Sequence, residues 1–410
     1  MELSRSGAGG ANRRAALGGK TVLDFTRVLA GPYCTMNLAD LGAEVIKIEN
    51  PNGGDETRRF RPPDVAGEST YFLHVNRNKR SAVLDLSKPE GKAAALTLAA
   101  RADVLVENFR PGVMGRLGLD YDSVRAVNPG VVYCSISGYG SEGPLATRAG
   151  LDPVIQGECG LMALTGEPDG EFMRIGVSLV DAMTGLFASQ GILAALLARG
   201  KGGAGQRLEV SLFDTGVNML VNFAAGYLMA GVEPPRAGNG NVVAQPAGVF
   251  EAADGPFILT CANDTAYERL CRDVLGRPGL IEDPRFATIA LRLENERVLS
   301  TALNEALAER PRAEWITRLR EAGIPAGEVR KVSEALTSPE FESRGMVAIA
   351  EHPTAGPLPL LRSPLRLAGT PIREPEPAPT FGQHTESVLR SLAGYDDAGI
   401  DALRAAGAIP

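Results

Sequence analysis

The stretch TVLDFTRVLAGPYCTMNLADLGAEVIKI, residues 21–48, decides the reading of the fold. Thr21–Thr26 is a short run rich in β-formers. Gly31-Pro32 marks a turn, and Tyr33–Leu41 reads as a helix after it. Glu44–Ile48 (EVIKI) is a second apolar strand. Two strands separated by a helix form a crossover unit and pair in parallel.

The pattern repeats outward from there. Pro89–Ala102 predicts a helix, with Pro suited to the first turn because its missing N–H has no partner to lose there. Val104–Glu107 and Val131–Ile136 follow as third and fourth strands, and Arg207–Leu212 as a later one. Residues 182–199 make a long apolar helix fit for burial or for a subunit interface. Short apolar strands alternating with helices predict a doubly wound, mostly parallel α/β sheet.

With 410 residues the chain is too long for one core. Near residue 233 the texture changes, and Glu233–Gly248 is rich in Pro, Gly and Asn. Strands at 248–251 and 257–260, then helices around 265–275, 291–309 and 313–322, predict a smaller α+β domain. Residues 353–380 are Pro-rich and extended, and the chain ends in two helical pieces beginning at Thr385. The expected division is a flexible tail at 1–17, a large domain at 18–230, a small domain with linkers at 231–344, and a return to the large domain at 345–410.

Composition narrows the function. Charged residues make up 22% and the net charge is −7, which gives no broad basic face and argues against nucleic acid as a partner. Five dispersed cysteines without CxxC spacing fit reduced thiols in a cytoplasmic protein, and three dispersed histidines predict no metal centre. Residues 1–16 lack the apolar segment of a signal peptide. The uncharged stretch Thr215–Val232 carries Asn218 and Asn222, so it reads as a buried or interface helix and no membrane span is expected. Gly200–Gly205 matches GxGxxG but follows a helix and precedes a strand, the reverse of a dinucleotide turn. Gly19-Lys20-Thr21 likewise precedes a strand and lacks the rest of a P-loop.

Several segments together resemble the family III CoA-transferases, the formyl-CoA transferase and carnitine CoA-transferase group. They include Val22–Thr26 through Gly31-Pro32, Gly42–Glu49, Asn76–Ser81, Leu84–Leu86, Glu107–Gly112, Ser137–Gly140, Gly150–Asp152, Leu164–Gly166, Gly176–Asp181 and Gly382–Thr385, in the family's order. The resemblance implies a Rossmann-like large domain, a smaller inserted domain and an interlocked homodimer. It also implies a substrate, coenzyme A as a thioester, and no separate cofactor.

Residue by residue, the resemblance marks Asp181 as the nucleophile. From the pattern alone Asp181 is equally a helix cap, and the two roles are compatible. Asp152 falls at a second acidic position bordering the active site, where a cap for a helix at 153–163 is the plain alternative. Arg27, Val28, Leu29, Ala30, Leu84, Asn108, Phe109 and Arg116 match CoA-binding positions. Asn50 and Ser87 stand where the family often has a basic residue, and Leu29 stands where formyl-CoA transferase has glutamine, which disfavours oxalate. His384, in Gly382–Thr385, reads as structural. Arg58, Arg59 and Arg61 form either a solvated cluster or a receptor for a substrate's distal carboxylate.

The expected activity is transfer of CoA from an acyl-CoA to a small carboxylate, with the Gly176–Asp181 segment resembling the branch that acts on succinate, mesaconate, itaconate or glutarate. The alternative is an α-methylacyl-CoA racemase. Those enzymes have Gly-His-Asp where this chain has Gly150-Leu151-Asp152, and leucine cannot carry a proton.

Overall fold

Six strands lie side by side and all run parallel in the computed structural model, which describes residues 15–410. They are β1 (Thr21–Asp24), β2 (Glu44–Glu49), β3 (Lys79–Val83), β4 (Val104–Glu107), β5 (Val132–Ser137) and β6 (Gln206–Ser211). Their order is β3-β2-β1-β4-β5-β6. The chain therefore starts in the middle of the sheet, winds outward to β3, and returns to the other side of β1. That reversal opens a crevice at the carboxyl ends of β1 and β4, where open α/β sheets bind their ligands.

Strand β3 was not foreseen. Lys79, Arg80 and Ser81 break its apolar pattern, yet Lys79 and Ser81 are buried. Both are satisfied inside the sheet layer: the Lys79 ammonium donates to Asp24 at 3.0 Å and the Ser81 hydroxyl to Glu49 at 2.6 Å. A buried cation is tolerated only with such partners.

Helix α1 (Ala30–Asp40) joins β1 to β2, α2 (Thr70–Val75) precedes β3, and α3 (Pro89–Ala99) joins β3 to β4. Further on come α4 (Asp152–Glu158) and α5 (Leu179–Gly200). By length and composition α5 could cross a membrane. It instead packs on α1 at Gly185, where an added Cβ would lie 2.6 Å from the Ala30 carbonyl oxygen. Only glycine permits that approach. On the other side of the sheet, Val388, Leu389, Ile400 and Leu403 of the C-terminal segment join Leu23, Ile46, Leu84 and Leu105 in one core.

The chain forms two compact units. One runs up to Cys159 and adds Gly176–Leu220 and Gly345–Pro410; the other comprises Gly160–Ile175 and Val221–Arg344. This grouping differs from the sequence division at two places, 160–175 and 221–230. The stretch 215–232 is not one helix, because Val221 takes a positive φ of 47° and separates α6 (Leu212–Asn218) from α7 (Asn222–Ala230). Arg236 donates to the carbonyls of Pro168 and Gly170, tying 160–175 to the segment after α7.

The second unit holds an antiparallel sheet of β7 (Ala247–Ala252), β8 (Gly255–Thr260) and β9 (Ala326–Glu328). Helices cover it around buried Phe250, Phe257, Leu303 and Trp315. In the first unit the Pro-rich segment begins as one arm of a hairpin, β10 (Val347–His352) with β11 (Gly356–Leu361). Pro357 and Pro359 fit because a two-stranded ribbon is all edge. Of the expected tail, residues 1–14 lie outside the described residues. Leu17, within the expected tail, is buried and donates its amide to the Leu41 carbonyl, so this residue is part of the fold. All five cysteines are buried, and none forms a disulfide among the described residues.

Candidate active site

The turn after β1 is held from several sides. Asp24 closes β1 fully buried, accepts from the hydroxyls of Thr26 and Thr35, and pairs with Lys79. Burial alone would raise its pKa; Lys79, Lys47 and the two hydroxyls outweigh it and hold the group at about 2. Burial wins at Lys79, whose pKa is brought down to about 8 against the pull of Asp24. Lys47 pairs with Asp55 at 2.8 Å and donates to the Thr26 carbonyl at 2.8 Å. Asp55 in turn accepts the Val28 amide at 3.4 Å. Val28 has φ 68°, an outlying conformation for a β-branched residue. Asn108, at the end of β4, clamps Arg27 by accepting its amide at 2.9 Å and donating to its carbonyl at 2.8 Å. Strain of this kind persists where the surroundings over-determine it, and it concentrates at functional turns.

A cleft of 260 Å³ opens beside this turn, at the carboxyl ends of β1 to β4. Arg27, Leu84 and Phe109, three of the residues matched to CoA binding, line it. The Arg27 guanidinium lies over the Phe109 ring at 5.2 Å, so one wall is flat and cationic. Val28, Leu29, Ala30, Asn108 and Arg116 are not among its lining residues. Asn108 has its amide engaged on Arg27. Arg116 is exposed on the short helix Val113–Leu117. A larger cavity, 630 Å³, lies at the opposite ends of β1 to β3 beside Lys20, Glu44 and Arg80. Those three charges are already paired, Lys20 with Asp103 and Arg80 with Glu44, and that end of a parallel sheet is not its binding end.

Asp181 sits in the first turn of α5, four residues before Gly185 and so on the same face, the one that meets α1. Its carboxyl is partly buried, and among the described residues no cation bears on it. Burial first, and then the charge of Asp152, raise its pKa to about 7. Asp152 is buried, at 2% exposure. It does not cap its own helix. Its Oδ2 accepts the backbone amides of Val180 at 2.9 Å and Asp181 at 3.1 Å, and its Oδ1 accepts from the Gln156 amide at 2.6 Å. It therefore caps α5, whose own N-cap residue, Ser178, makes no side-chain cap. Tyr71 of α2 stands beside these carboxylates: burial, then Asp181, Asp55 and Asp152, push its pKa up to about 12. Tyr71, Asp55 and Gln156 lie outside the segments that carry the resemblance, and Lys47, within Gly42–Glu49, has no feature in the sequence that marks it as a site residue.

The arginine cluster needs correction. Arg58 forks onto Glu49 through Nε at 2.8 Å and Nη2 at 2.7 Å, and its guanidinium stacks 3.7 Å from the centre of the Phe72 ring. It belongs to the protein's own buried network and is not available to a substrate carboxylate. Arg61 donates to the Gly67 carbonyl. Arg59 is exposed and makes no ion pair among the described residues. His384 accepts the Ser81 amide at 3.2 Å, tying the C-terminal segment to β3.

A parallel sheet with a strained turn at its switch point, a flat-walled cleft beside it and a partly buried carboxyl at a helix start make up the candidate site. The chain belongs to CoA-transferase family III, which matches residues 17–385. It is 39% identical over 393 residues to the succinyl-CoA:glutarate CoA-transferase of Mus musculus, covering 96% of this chain and 90% of the mouse protein. It is 42% identical over 330 residues to the acetyl-CoA:oxalate CoA-transferase of Acetobacter aceti, covering 80% and 84%. A crystal structure of a CaiB/BaiF family protein from Brucella suis superposes with a TM-score of 0.84 at 39% identity, covering 92% of this chain and all of that one.

Proposed function

We propose that this CoA-transferase moves CoA from an acyl-CoA donor to a short dicarboxylate such as succinate or glutarate, through a covalent intermediate on Asp181. The observation that carries the reading is the setting of Asp181: a partly buried carboxyl with no cation bearing on it among the described residues and a pKa near neutrality. Such a group is ionised in useful amount at pH 7 and is poorly stabilised by its surroundings, which suits a nucleophile.

In the first step the Asp181 carboxylate attacks the thioester carbonyl; the C–S bond breaks, leaving a mixed anhydride and CoA thiolate. The thiolate attacks the aspartyl carbonyl, releases the donor carboxylate and leaves an aspartyl-CoA thioester. The acceptor carboxylate then displaces the thiolate, and the thiolate takes the acceptor's acyl carbon and frees Asp181. A carboxylate enters and a carboxylate leaves, so no net proton is consumed and the sequence needs neither a metal nor a redox cofactor. The racemase reading lacks a proton carrier at Leu151, which is exposed.

The dicarboxylate preference rests on the named activities of the relatives and on an acceptor's need for a second anchor. A charge-assisted hydrogen bond to the distal carboxylate contributes roughly 1.5–3 kcal/mol. The expected result is a kcat/KM for succinate or glutarate about one to two orders of magnitude above that for butyrate or valerate, with one donor held fixed. The products are identified by mass, with oxalate in the same panel. Equal rates with the monocarboxylates would remove the distal site, and deuterium gain at the α-carbon without acyl exchange would restore the racemase.

The assembly we propose is the interlocked homodimer that the family resemblance implies. In that dimer helix 182–199 and segment 215–232, the stretches that fall on α5 and on α6 and α7, are expected to be heavily buried. In the single chain, α7 has no buried residue, and its Leu228 and Met229 are 81% and 87% exposed. On α5, Leu193 and Leu197 are exposed too. Apolar surface of this kind supports coverage by a second copy. Sedimentation should give twice the 43.1 kDa of the chain across the working range. A stable, active monomer would rule the arrangement out.

A further inference from the structure

We propose that Asp152 is a positioning residue for the transfer: its carboxylate grips the first-turn amides of α5, sets the direction of the Asp181 side chain and withholds the helix-end donors from it. The proposal rests on the reading of Asp181 as nucleophile.

The geometry is specific. Both amides that Asp152 accepts belong to the turn that carries Asp181, and one is the amide of Asp181 itself. The start of a 22-residue helix is a strong place for an anion. Asp152, reaching over from α4, occupies it, so the carboxyl of Asp181 does not. Gln156 fixes the other oxygen of Asp152, which leaves that carboxylate little freedom.

Two consequences follow. The backbone under Asp181 is locked against a second element, so attack proceeds from one orientation. A fixed negative charge also stands next to the nucleophile and keeps its carboxyl less stable as an anion, hence more reactive once ionised. The other titratable groups around α5 do not share this role. Tyr71 faces Asp181 from α2 as a neutral phenol. Tyr33 of α1 lies against Gly185, one turn further on. Arg207 and Glu209 of β6 and Asp214 of α6 lie on elements packed against the helix and do not bear on Asp181.

The test uses the full-length protein with two substitutions. Asp152→Asn keeps an oxygen for the two amides but removes the charge. Asp152→Ala removes both. The expected result for Asp152→Asn is a kcat at pH 8 within about tenfold of wild type, with the acid limb of kcat/KM moved down by about one pH unit. Asp152→Ala should lower kcat about a hundredfold while KM for the acyl-CoA donor stays within a factor of about three. If Asp152→Ala fails to fold, the pH profile of Asp152→Asn carries the decision alone. An unmoved acid limb in Asp152→Asn, or wild-type kcat in Asp152→Ala, overturns the proposal. Whether Asp181 is the nucleophile is read separately, by hydroxylamine trapping on the wild-type enzyme, so failure of one reading is not mistaken for failure of the other.

Discussion

Asp181→Ala should abolish transfer, by at least about a thousandfold in kcat, while CoA still binds. Loss on this scale is expected when the atom that forms the covalent bond is removed, because no neighbouring group can replace it. Tyr71 has its pKa pushed up to about 12, by burial first, and Asp152 is turned towards backbone amides. Binding should survive because Arg27, Leu84 and Phe109 line a cleft that does not include Asp181. Hydroxylamine with donor acyl-CoA should inactivate the wild type by capturing the activated carboxyl, and should leave the variant untouched. Near-normal transfer by Asp181→Ala sinks the covalent mechanism.

Stability should move the opposite way. In the wild type the pKa of Asp181 is raised, first by burial and then by Asp152, to about 7. Between the ordinary carboxyl range and that value the folded protein holds a proton that the unfolded chain has released. Stability of the wild type therefore falls as pH rises through that window, and above it the ionised group costs up to roughly 4 kcal/mol. Asp181→Ala lacks this cost. Its melting temperature should exceed that of wild type at pH 8 and approach it at pH 4. The same surroundings that make the carboxyl reactive also make it a local liability in the fold.

Much of this was legible in the sequence because apolar runs report directly on burial. Val22–Phe25, Val45–Ile48, Val104–Val106 and Val131–Ile136 are buried where the pattern placed strands. The position of Asp181 at a helix start was also readable. The partners of that helix were not. Asp152 looks from the sequence like a cap for the helix that follows it, and only the chain's return path brings it to the amides of Val180 and Asp181. Asn108 and Arg58 show the same limit. Each has the right chemistry for a substrate, and each is engaged within the protein, by Arg27 or by Glu49, residues 81 and 9 positions away. Strand β3 was invisible because its polar residues are satisfied by groups on other strands. Pattern reading sees a side chain's type but not whether its capacity is already used.

The largest stability effect should come from the buried pair beneath the turn. Asp24→Asn keeps only one of two accepting oxygens, Oδ1 that takes the Thr26 hydroxyl or Oδ2 that takes the Thr35 hydroxyl, and leaves the Lys79 ammonium without its counter-charge, at 3.0 Å and fully buried. Breaking one side of such a pair costs about 3–5 kcal/mol, more than the net worth of the pair itself. The cost should depend on pH in a definite direction. The pKa of Lys79 in the wild type is already lowered, by burial against the pull of Asp24, to about 8. Without Asp24 it falls further, so the folded variant sheds a proton that its unfolded chain keeps. The contribution of Lys79 to stability then rises with pH in the variant, while in the wild type it stays level until about pH 8; the effect of Asp181 is common to both. The gap between them should narrow from pH 6 to pH 8 and hold constant above that. Adding Lys79→Met to Asp24→Asn removes the orphaned charge and should recover most of the loss. Because Arg27 and Val28 directly follow this strand, partial loosening should raise KM for the acyl-CoA donor before kcat changes. Denaturant melts at the two pH values decide it: a cost under about 1 kcal/mol, with no change between pH 6 and pH 8, would mean that Lys47 and Asn76 hold the turn without Asp24.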